Sequence, residues 1–191
     1  MLLKTIIALS VVVVLALAAC RATRAGYESA EYSVEKTDGN YEIREYAELV
    51  IVKASMNGDT PEDGDTFMEL FRYISGENEA EEKIAMTTPV FIDRKEDEMQ
   101  FVLPKAVAEK GAPQASSDSV SLETVRKGKF ASLRFKGSRS DEAAQAAADN
   151  LSAWIKSNGL VAIGKPTFAY YDPPFTPEAL RRNEVLIRLK E

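Results

Sequence analysis

Apolar residues along this chain follow two spacings, one typical of strands and one typical of helices. Strand-like runs fall at 41–46, 49–56, 84–92 and 99–103, and again at 120–125, 130–135, 161–171 and 185–189. The runs 41–46 and 49–56 predict two strands that pair with each other. In each series a stretch with helical spacing separates the second run from the third. A linker rich in Gly, Pro, Ser and Ala, at 105–119, stands between the two series. The pattern therefore predicts two ββαββ halves related by duplication and pseudo-twofold symmetry.

The first predicted helix carries a wide stripe of bulky apolar residues. Thr60-Pro61 or Thr66 can begin this helix, and Gly76 can end it. The stripe recurs at positions i, i+3, i+4 and i+7, with one further residue beside it: Phe67, Leu70, Phe71 and Ile74, flanked by Met68. Side chains of this size are expected to hold the helix away from the sheet.

The second predicted helix begins at Ser140 and stops at Gly159. Its first half is nearly all alanine, and its apolar stripe consists of Ala147, Leu151, Trp154 and Ile155. Alanine side chains allow a helix to lie close to a sheet with little void. We therefore expect a ligand pocket beside the first helix rather than beside the second.

The first twenty residues predict export and attachment to a membrane. Lys4 supplies a positive charge before an uncharged apolar run from Ile6 to Ala16, and Leu17-Ala-Ala-Cys20 has the form of a bacterial lipobox. Residues 1–19 are then a cleaved signal peptide, and Cys20, the only cysteine of the chain, is the lipid attachment site. Two or more acyl chains give stable anchoring. An uncleaved signal anchor is the alternative.

Residues 20–40 are polar and predict a tether between the lipid and a domain over 41–191. The bacterial cell envelope is the expected location, with the domain facing the periplasm. In a cell with two membranes, Arg21 stands where an aspartate usually retains lipoproteins on the inner membrane. The outer membrane is therefore the expected destination.

The net charge and the composition of the chain exclude some classes of binding partner. The chain has 191 residues, a length for one domain, and a formal net charge of −6. Cleavage would remove Lys4 and no acidic residue, which makes the mature chain more negative still. No basic run interleaved with aromatic residues occurs. These features argue against nucleic acid as a partner and against adhesion to anionic lipid by charge.

Two motifs about a hundred residues apart resemble the SOUL haem-binding family. The first is Tyr73-Ile-Ser-Gly-Glu-Asn78 continuing to Lys83-Ile-Ala-Met-Thr-Thr-Pro-Val90, and the second is Tyr171-Asp-Pro-Pro174 followed by Arg181-Arg-Asn-Glu184. The resemblance implies an α+β fold in which duplicated ββαββ halves form a twisted, mostly antiparallel β-barrel flanked by two helices. It also implies a binding protein for haem or a related tetrapyrrole.

In haem-binding SOUL proteins the first helix borders the tetrapyrrole pocket. The resemblance therefore makes six residues candidates for cofactor contact: Phe67, Met68, Leu70, Phe71, Arg72 and Met86. The alternative is that the apolar members simply fill the core. Some relatives place basic residues beside the pocket where this chain has Gly64 and Thr176, so Arg72 and Lys83 remain as candidates for pairing with propionates.

The chain contains no histidine, so haem ligation must come from another side chain or be absent. Met68, Met86 and Tyr73 are the candidates, and we expect that no protein side chain acts as an axial ligand. The expected ligand is haem, or another planar hydrophobic molecule, held mainly by apolar contacts.

Glu184 carries the one enzymatic alternative. A carboxylate entering the last strand after Arg181 and Arg182 can be a buried ion pair, or, with a raised pKa and a cavity, a general base of a small-molecule hydrolase or porphyrin-modifying enzyme. No histidine, nucleophile elbow or zinc ligand set supports catalysis. We therefore expect a binding protein and no enzyme; a scaffold for a protein partner is a third class.

Overall fold

The computed structural model describes residues 26–58 and 64–191. The predicted signal peptide and Cys20 lie outside these residues, as do Thr60 and Pro61. The described elements run in the following order: β1 (Glu28–Ser29), β2 (Tyr32–Asp38), β3 (Tyr41–Tyr46), β4 (Leu49–Ser55), α1 (Asp65–Ile74), β5 (Thr87–Thr88), β6 (Val90–Asp93), β7 (Glu98–Val102), α2 (Lys105–Lys110), β8 (Val120–Val125), β9 (Gly128–Phe135), α3 (Asp141–Ser157), β10 (Thr167–Tyr170), a 3₁₀ turn (Glu178–Leu180) and β11 (Asn183–Arg188).

Nine strands form one antiparallel sheet in the order β2-β3-β9-β11-β10-β6-β7-β4-β8. The predicted halves correspond to β3-β4-α1-β6-β7 and β8-β9-α3-β10-β11. The counterparts in the two halves are β3 and β8, β4 and β9, β6 and β10, and β7 and β11. When the sheet order from β3 to β8 is reversed and each strand is replaced by its counterpart, the same order results. The duplicated α+β architecture is therefore confirmed, with the pseudo-twofold relation centred between β10 and β6.

The sequence led us to pair β3 with β4, and that pairing is wrong. β3 pairs with β2 and β9, whereas β4 pairs with β7 and β8. Six strand spacings separate β3 from β4, about 30 Å in a flat sheet. Tyr46 and Ile51 of these two strands nevertheless belong to one buried cluster. The sheet must therefore curl into a half-barrel, and the two-residue link between β3 and β4 bridges its converging edges.

Each face of this sheet has its own core. Alternate residues of the strands pack under the helices, with α1 lying on β4, β7 and β8 and α3 lying on β9 and β11. The opposite residues point into the half-barrel, where Tyr46, Ile51, Phe91 and Leu186 form a second cluster. The two-residue period of a strand thus separates a helix-covered face from an interior face.

Four boundaries differ from those predicted. The domain begins before residue 41, because β2 lies within the predicted tether; its residues look like a tether since this edge strand is exposed along nearly its whole length. The predicted linker at 105–119 contains α2, and the bridge between Asn78 and Ala115 fixes another part of it. The predicted strand at 161–171 is reduced to β10.

The fourth difference concerns the start of α1. Gly64, in the left-handed conformation at φ 87°, precedes the helix, whereas Thr66 lies buried within its first turn. The predictions for α3 are confirmed, since the Ser140 hydroxyl accepts a hydrogen bond from the Ala143 amide and Gly159 follows the helix at φ 68°.

Candidate functional site

Helix α1 does not bury its whole apolar stripe. Leu70 is fully buried, and Tyr73 and Ile74 join it in the core. Met68 and Phe71 lie on the outer side, with 47% and 40% of their surface exposed. The first helix therefore has a core side and an accessible apolar side, whereas the sequence showed one stripe.

Phe67 connects these two sides. Its ring lies 6.1 Å from that of Phe71, with 14° between the ring planes, and 5.1 Å from that of Phe101 on β7. The packing on Phe101 fixes Phe67, and the stacked Phe71 extends the same apolar surface outward. We call Phe67, Met68 and Phe71 the α1 patch. It is a partly exposed apolar surface on α1.

The remaining candidates do not all accompany this patch. Arg72 is exposed, with its Nε 3.8 Å from Glu77 Oε2. Met86 is half-buried against the helix-side core. The Tyr73 hydroxyl donates a 2.7 Å hydrogen bond to the Pro113 carbonyl, and burial raises its pKa to about 12. Because a tyrosinate ligand must lose this proton, Tyr73 is poorly suited to ligate iron.

The two positions where some relatives carry basic residues are structural in this chain. Gly64 precedes α1 with a backbone conformation that glycine favours. Thr176 is buried, and its carbonyl accepts a 2.7 Å hydrogen bond from Arg181 Nε. Neither residue supplies a cation.

Glu184 lies on the interior face and is fully buried. Arg44 holds both of its oxygens, with Nη1 to Oε2 at 2.6 Å and Nη2 to Oε1 at 3.2 Å. Arg182 Nε donates to Oε1 at 2.9 Å, Arg134 Nε approaches the same oxygen at 3.4 Å, and the Tyr171 hydroxyl donates to Oε2 at 3.2 Å. The predicted bridge to the arginine pair thus involves Arg182, while Arg181 turns to loop carbonyls.

The charge of this cluster determines what Glu184 can do. Burial alone would raise the pKa of its carboxyl, but the hydrogen bonds and charges of Arg44 and Arg182 outweigh burial and lower the pKa to about 2. A general base working near neutral pH requires the opposite shift. The geometry is that of a structural ion-pair network.

Ligand-sized spaces open on both faces of the sheet. A cleft of about 290 Å³ opens in the half-barrel interior, among Tyr46, Ile51, Phe91 and Leu186. A groove of about 840 Å³ runs along α3 on the helix-covered face, over Phe168. The alanine face of α3 itself packs closely, as expected, since Ala144, Ala147 and Ala148 are nearly fully buried in the helix-side core. The groove lies beside that contact, between α3 and the β6–β7 hairpin.

Sequence comparison assigns the chain to a family. The model for the SOUL heme-binding protein family matches residues 27–188, most of the chain and nearly all of the described domain. The chain belongs to the SOUL haem-binding family. This match includes β2, which agrees with the earlier domain boundary. A comparison with curated proteins gave no match.

The SOUL fold of this chain is similar to several solved structures of low sequence identity. The C-terminal domain of EcmrR shares 12% identity at a TM-score of 0.53, covering 84% of this chain and 98% of that one. A hydrolase encoded by lin2189 from Listeria innocua shares 12% at a TM-score of 0.52, covering 82% and 94%. An uncharacterized conserved protein from Listeria innocua shares 15% at 0.50, covering 79% and 91%. At these identities the likeness concerns the fold alone.

Sequence reasoning missed two sets of arginines: Arg44, which pairs with Glu184, and Arg94 with Arg139, which lie beside the groove. Arg44 alternates with Tyr41 and Ile43, which put it on the interior face of β3, but a lone arginine in a strand usually points to solvent. Arg94 and Arg139, which line the groove, are brought together only by the fold. In residues 26–58 and 64–191 no group of acidic or cysteine side chains is arranged to hold a metal ion. Within the same ranges no helix is long and apolar enough to cross a membrane.

Proposed function

We propose that this protein is a membrane-tethered binding protein for haem or a related tetrapyrrole, held mainly by apolar contacts on the α1 patch. Membership of the SOUL family supports the ligand class. The observation that carries the site is the outward-facing Phe71 and Met68, extended from a ring anchored on Phe101. A planar apolar ligand would cover this surface without disturbing the core beneath it.

The side chains fit haem in part. The Phe67–Phe71 stack offers aromatic faces to a macrocycle, and the exposed guanidinium of Arg72, one residue further along, is available to a propionate. Haem bound here would bring an iron atom that a side chain could ligate and a Soret absorption band that reports its binding. Met68 and Met86 are the remaining candidate ligands, and the proposal holds that neither thioether ligates the iron.

A haem titration of a soluble chain beginning at residue 21 tests the site, with the Soret band as readout. Phe71→Ser should weaken haem binding by about tenfold or more, because it removes one side of the apolar stack while costing little core packing. Ile163→Ser is the matched control, since Ile163 is 60% exposed and lies outside α1. Equal affinities in the wild type and Phe71→Ser would remove the α1 patch from the binding site.

Attachment to the membrane forms the second half of the proposal and rests on the sequence Leu17-Ala-Ala-Cys20. Lipidation of Cys20 would place the domain in the bacterial envelope, facing the periplasm from the outer membrane where there are two membranes. Cys20→Ser should release the protein into the soluble exported fraction, as measured by fractionation and immunoblotting. A Cys20→Ser protein that stays membrane-bound with its apolar run intact would instead support the signal anchor.

The proposal includes no enzymatic activity and no nucleic-acid partner. The low pKa of Glu184 argues against its use as a general base, which removes the support that the hydrolase alternative had in the sequence. The excess of acidic residues argues against binding to a polyanion.

A further inference from the structure

A second site, separate from the α1 patch, is indicated by the groove along α3. One wall is a face of α3 from Ser140 to Ser152, and the other is the β6–β7 hairpin around Arg94 and Lys95. Phe168 of β10 lies at the base. Twelve residues of helix span about 18 Å, so the groove is elongated. Its volume of about 840 Å³ falls within the range of small-molecule sites.

The base and part of the walls of the groove are apolar. Phe168 and Met56 contribute large side chains, and Ala144 and Ala148 present methyl groups from α3. Both alanines are nearly fully buried, so a leucine at either position must displace its neighbours or enter the groove. An apolar body of moderate width can therefore lie along α3 and remove this surface from water.

Two guanidinium groups are fixed beside this apolar surface. Arg94 donates to the Arg139 carbonyl at 2.8 Å and to the Tyr170 hydroxyl at 3.3 Å, and its guanidinium carbon lies 5.3 Å from the centre of the Phe168 ring. The guanidinium carbon of Arg139 lies 4.7 Å from the Tyr170 ring. Only 6% of Arg139 is exposed. Cations held in this way need little rearrangement to meet an anion.

The acidic residues of the groove stand at its rim and are engaged. Asp141 is 88% exposed in its side chain and pairs with Arg94. Asp149 accepts a hydrogen bond from Gln145, and Asp97 accepts one from the Gly58 amide. Lys95 is exposed and makes no ion pair with the residues that the structure describes. Depth therefore separates the charges, with guanidinium groups inside and carboxylates outside.

We propose that this groove binds an anionic amphiphile, a molecule with a carboxylate head and a narrow apolar body. The head would lie near Arg94, Arg139 and Lys95, and the body would lie over Phe168 along the alanine face of α3. The groove lining holds three basic and three acidic residues, so its preference for an anion rests on the depth of Arg94 and Arg139 rather than on net charge. This inference is independent of the tetrapyrrole proposal, because none of the α1 patch residues lines the groove.

Three probes with the same twelve-carbon chain test the charge preference: dodecanoate, dodecylammonium and dodecyl maltoside. Binding to the soluble chain beginning at residue 21, which retains every described residue, is measured by calorimetry below the concentration at which micelles form. Dodecanoate should bind at least about tenfold more tightly than the other two, a difference of ~1.4 kcal/mol. Equal binding of all three, or no binding of dodecanoate, would overturn the proposal.

Two matched pairs of variants locate the site. Ala148→Leu fills the groove, whereas Ala146→Leu makes the same change at an exposed position of α3 that does not line it. Lys95→Glu reverses a charge at the mouth, whereas Lys127→Glu makes the same change at an exposed lysine outside it. The first member of each pair should weaken dodecanoate binding by about tenfold, and the second should not. If Ala148→Leu unfolds, the lysine pair decides alone.

Haem titrations of the same variants separate this proposal from the proposed function. Phe71→Ser should weaken haem and leave dodecanoate unchanged, and Lys95→Glu should do the reverse. In Lys95→Glu, loss of haem binding alone would contradict the α1 site and overturn the inference, whereas loss of dodecanoate binding alone would locate the anion in the groove. Parallel loss of both ligands in Lys95→Glu would show a single shared site and overturn the inference of a second one.

Discussion

The two faces of the sheet treat charged groups in opposite ways. On the interior face, Glu184 is fully buried and receives hydrogen bonds from Arg44, Arg182 and Tyr171, so each of its oxygens is satisfied from within the protein. On the helix-covered face, Arg94, which pairs with the exposed Asp141, borders an open groove. A buried charge whose partners are all internal stabilises or orders a fold, whereas a fixed charge beside accessible space is available to a ligand.

Among the variants that compare the two faces, loss of the interior carboxylate should lower the free energy of unfolding most. Glu184→Gln keeps the shape of the side chain but leaves buried Arg44 with Glu42 as its remaining carboxylate partner and removes the counter-charge of Arg182. Breaking a buried pair from one side typically costs about 3–5 kcal/mol. Urea unfolding at neutral pH measures the loss. Arg94→Gln, on the other face, should cost less, about 1–2 kcal/mol, because it removes a partly exposed ion pair and weakens two hydrogen bonds. Similar costs for both variants would contradict the division between the faces.

Acidification should remove the contribution of Glu184 in a defined window. Its pKa is about 2 in the folded protein and near 4.5 when exposed. A lowered folded pKa adds stability that is fully present above the unfolded value and is lost as the pH falls through the folded value, so the loss runs from about 4.5 down to about 2. The contribution is of the order of 3 kcal/mol. The difference in unfolding free energy between wild type and Glu184→Gln should therefore shrink across this window, and a constant difference would refute the assignment.

Two substitutions within α1 separate residues of the core from residues of the proposed binding site, and their expected effects are the next largest. Leu70→Ala should cost about 2–5 kcal/mol in stability, because Leu70 is fully buried. Phe71→Ala should cost far less, since 40% of Phe71 is exposed, yet it should weaken haem more than Leu70→Ala does in protein that remains folded. Chemical denaturation and Soret titration of both variants measure the two quantities. A parallel ranking of stability and affinity would make α1 a core helix only.

The periodic pattern of the sequence was sufficient for the architecture. The alternation of apolar and polar residues predicted the bounds of most strands to within a few residues. The repeated order of strands and helix predicted the correct symmetry, because both patterns depend on local spacing. Strand partners were wrong for β3 and β4, since a two-residue link is typical of a hairpin and only the curled sheet reveals the exchange between halves. Edge strand β2 was missed because exposure on both faces removes the alternation that marks a strand.

The sites were less predictable than the architecture. Phe67, Leu70 and Phe71 share one helical stripe, but their exposure depends on how α1 is rotated against β4 and β7, which spacing alone does not give to within one residue. The groove along α3 depends on a distance between two elements far apart in the chain. Alanine content indicated the close contact of α3 with the sheet, but it carries no information on the distance from α3 to the β6–β7 hairpin, where the groove opens.

The smallest expected effect concerns sulfur ligation of haem. Met86→Leu keeps the volume and apolarity of a half-buried side chain, and such exchanges usually cost under about 1.5 kcal/mol. If apolar contacts on α1 hold the tetrapyrrole, the position and intensity of the Soret band should not change, because no bond from the Met86 sulfur to iron is lost. Met68→Leu is the companion variant, since Met68 is the other thioether among the candidates and its exposed position tolerates the change. A shifted Soret band in one variant and not in the other would identify an axial methionine, and would replace a site held by apolar contact with one organised around a metal bond.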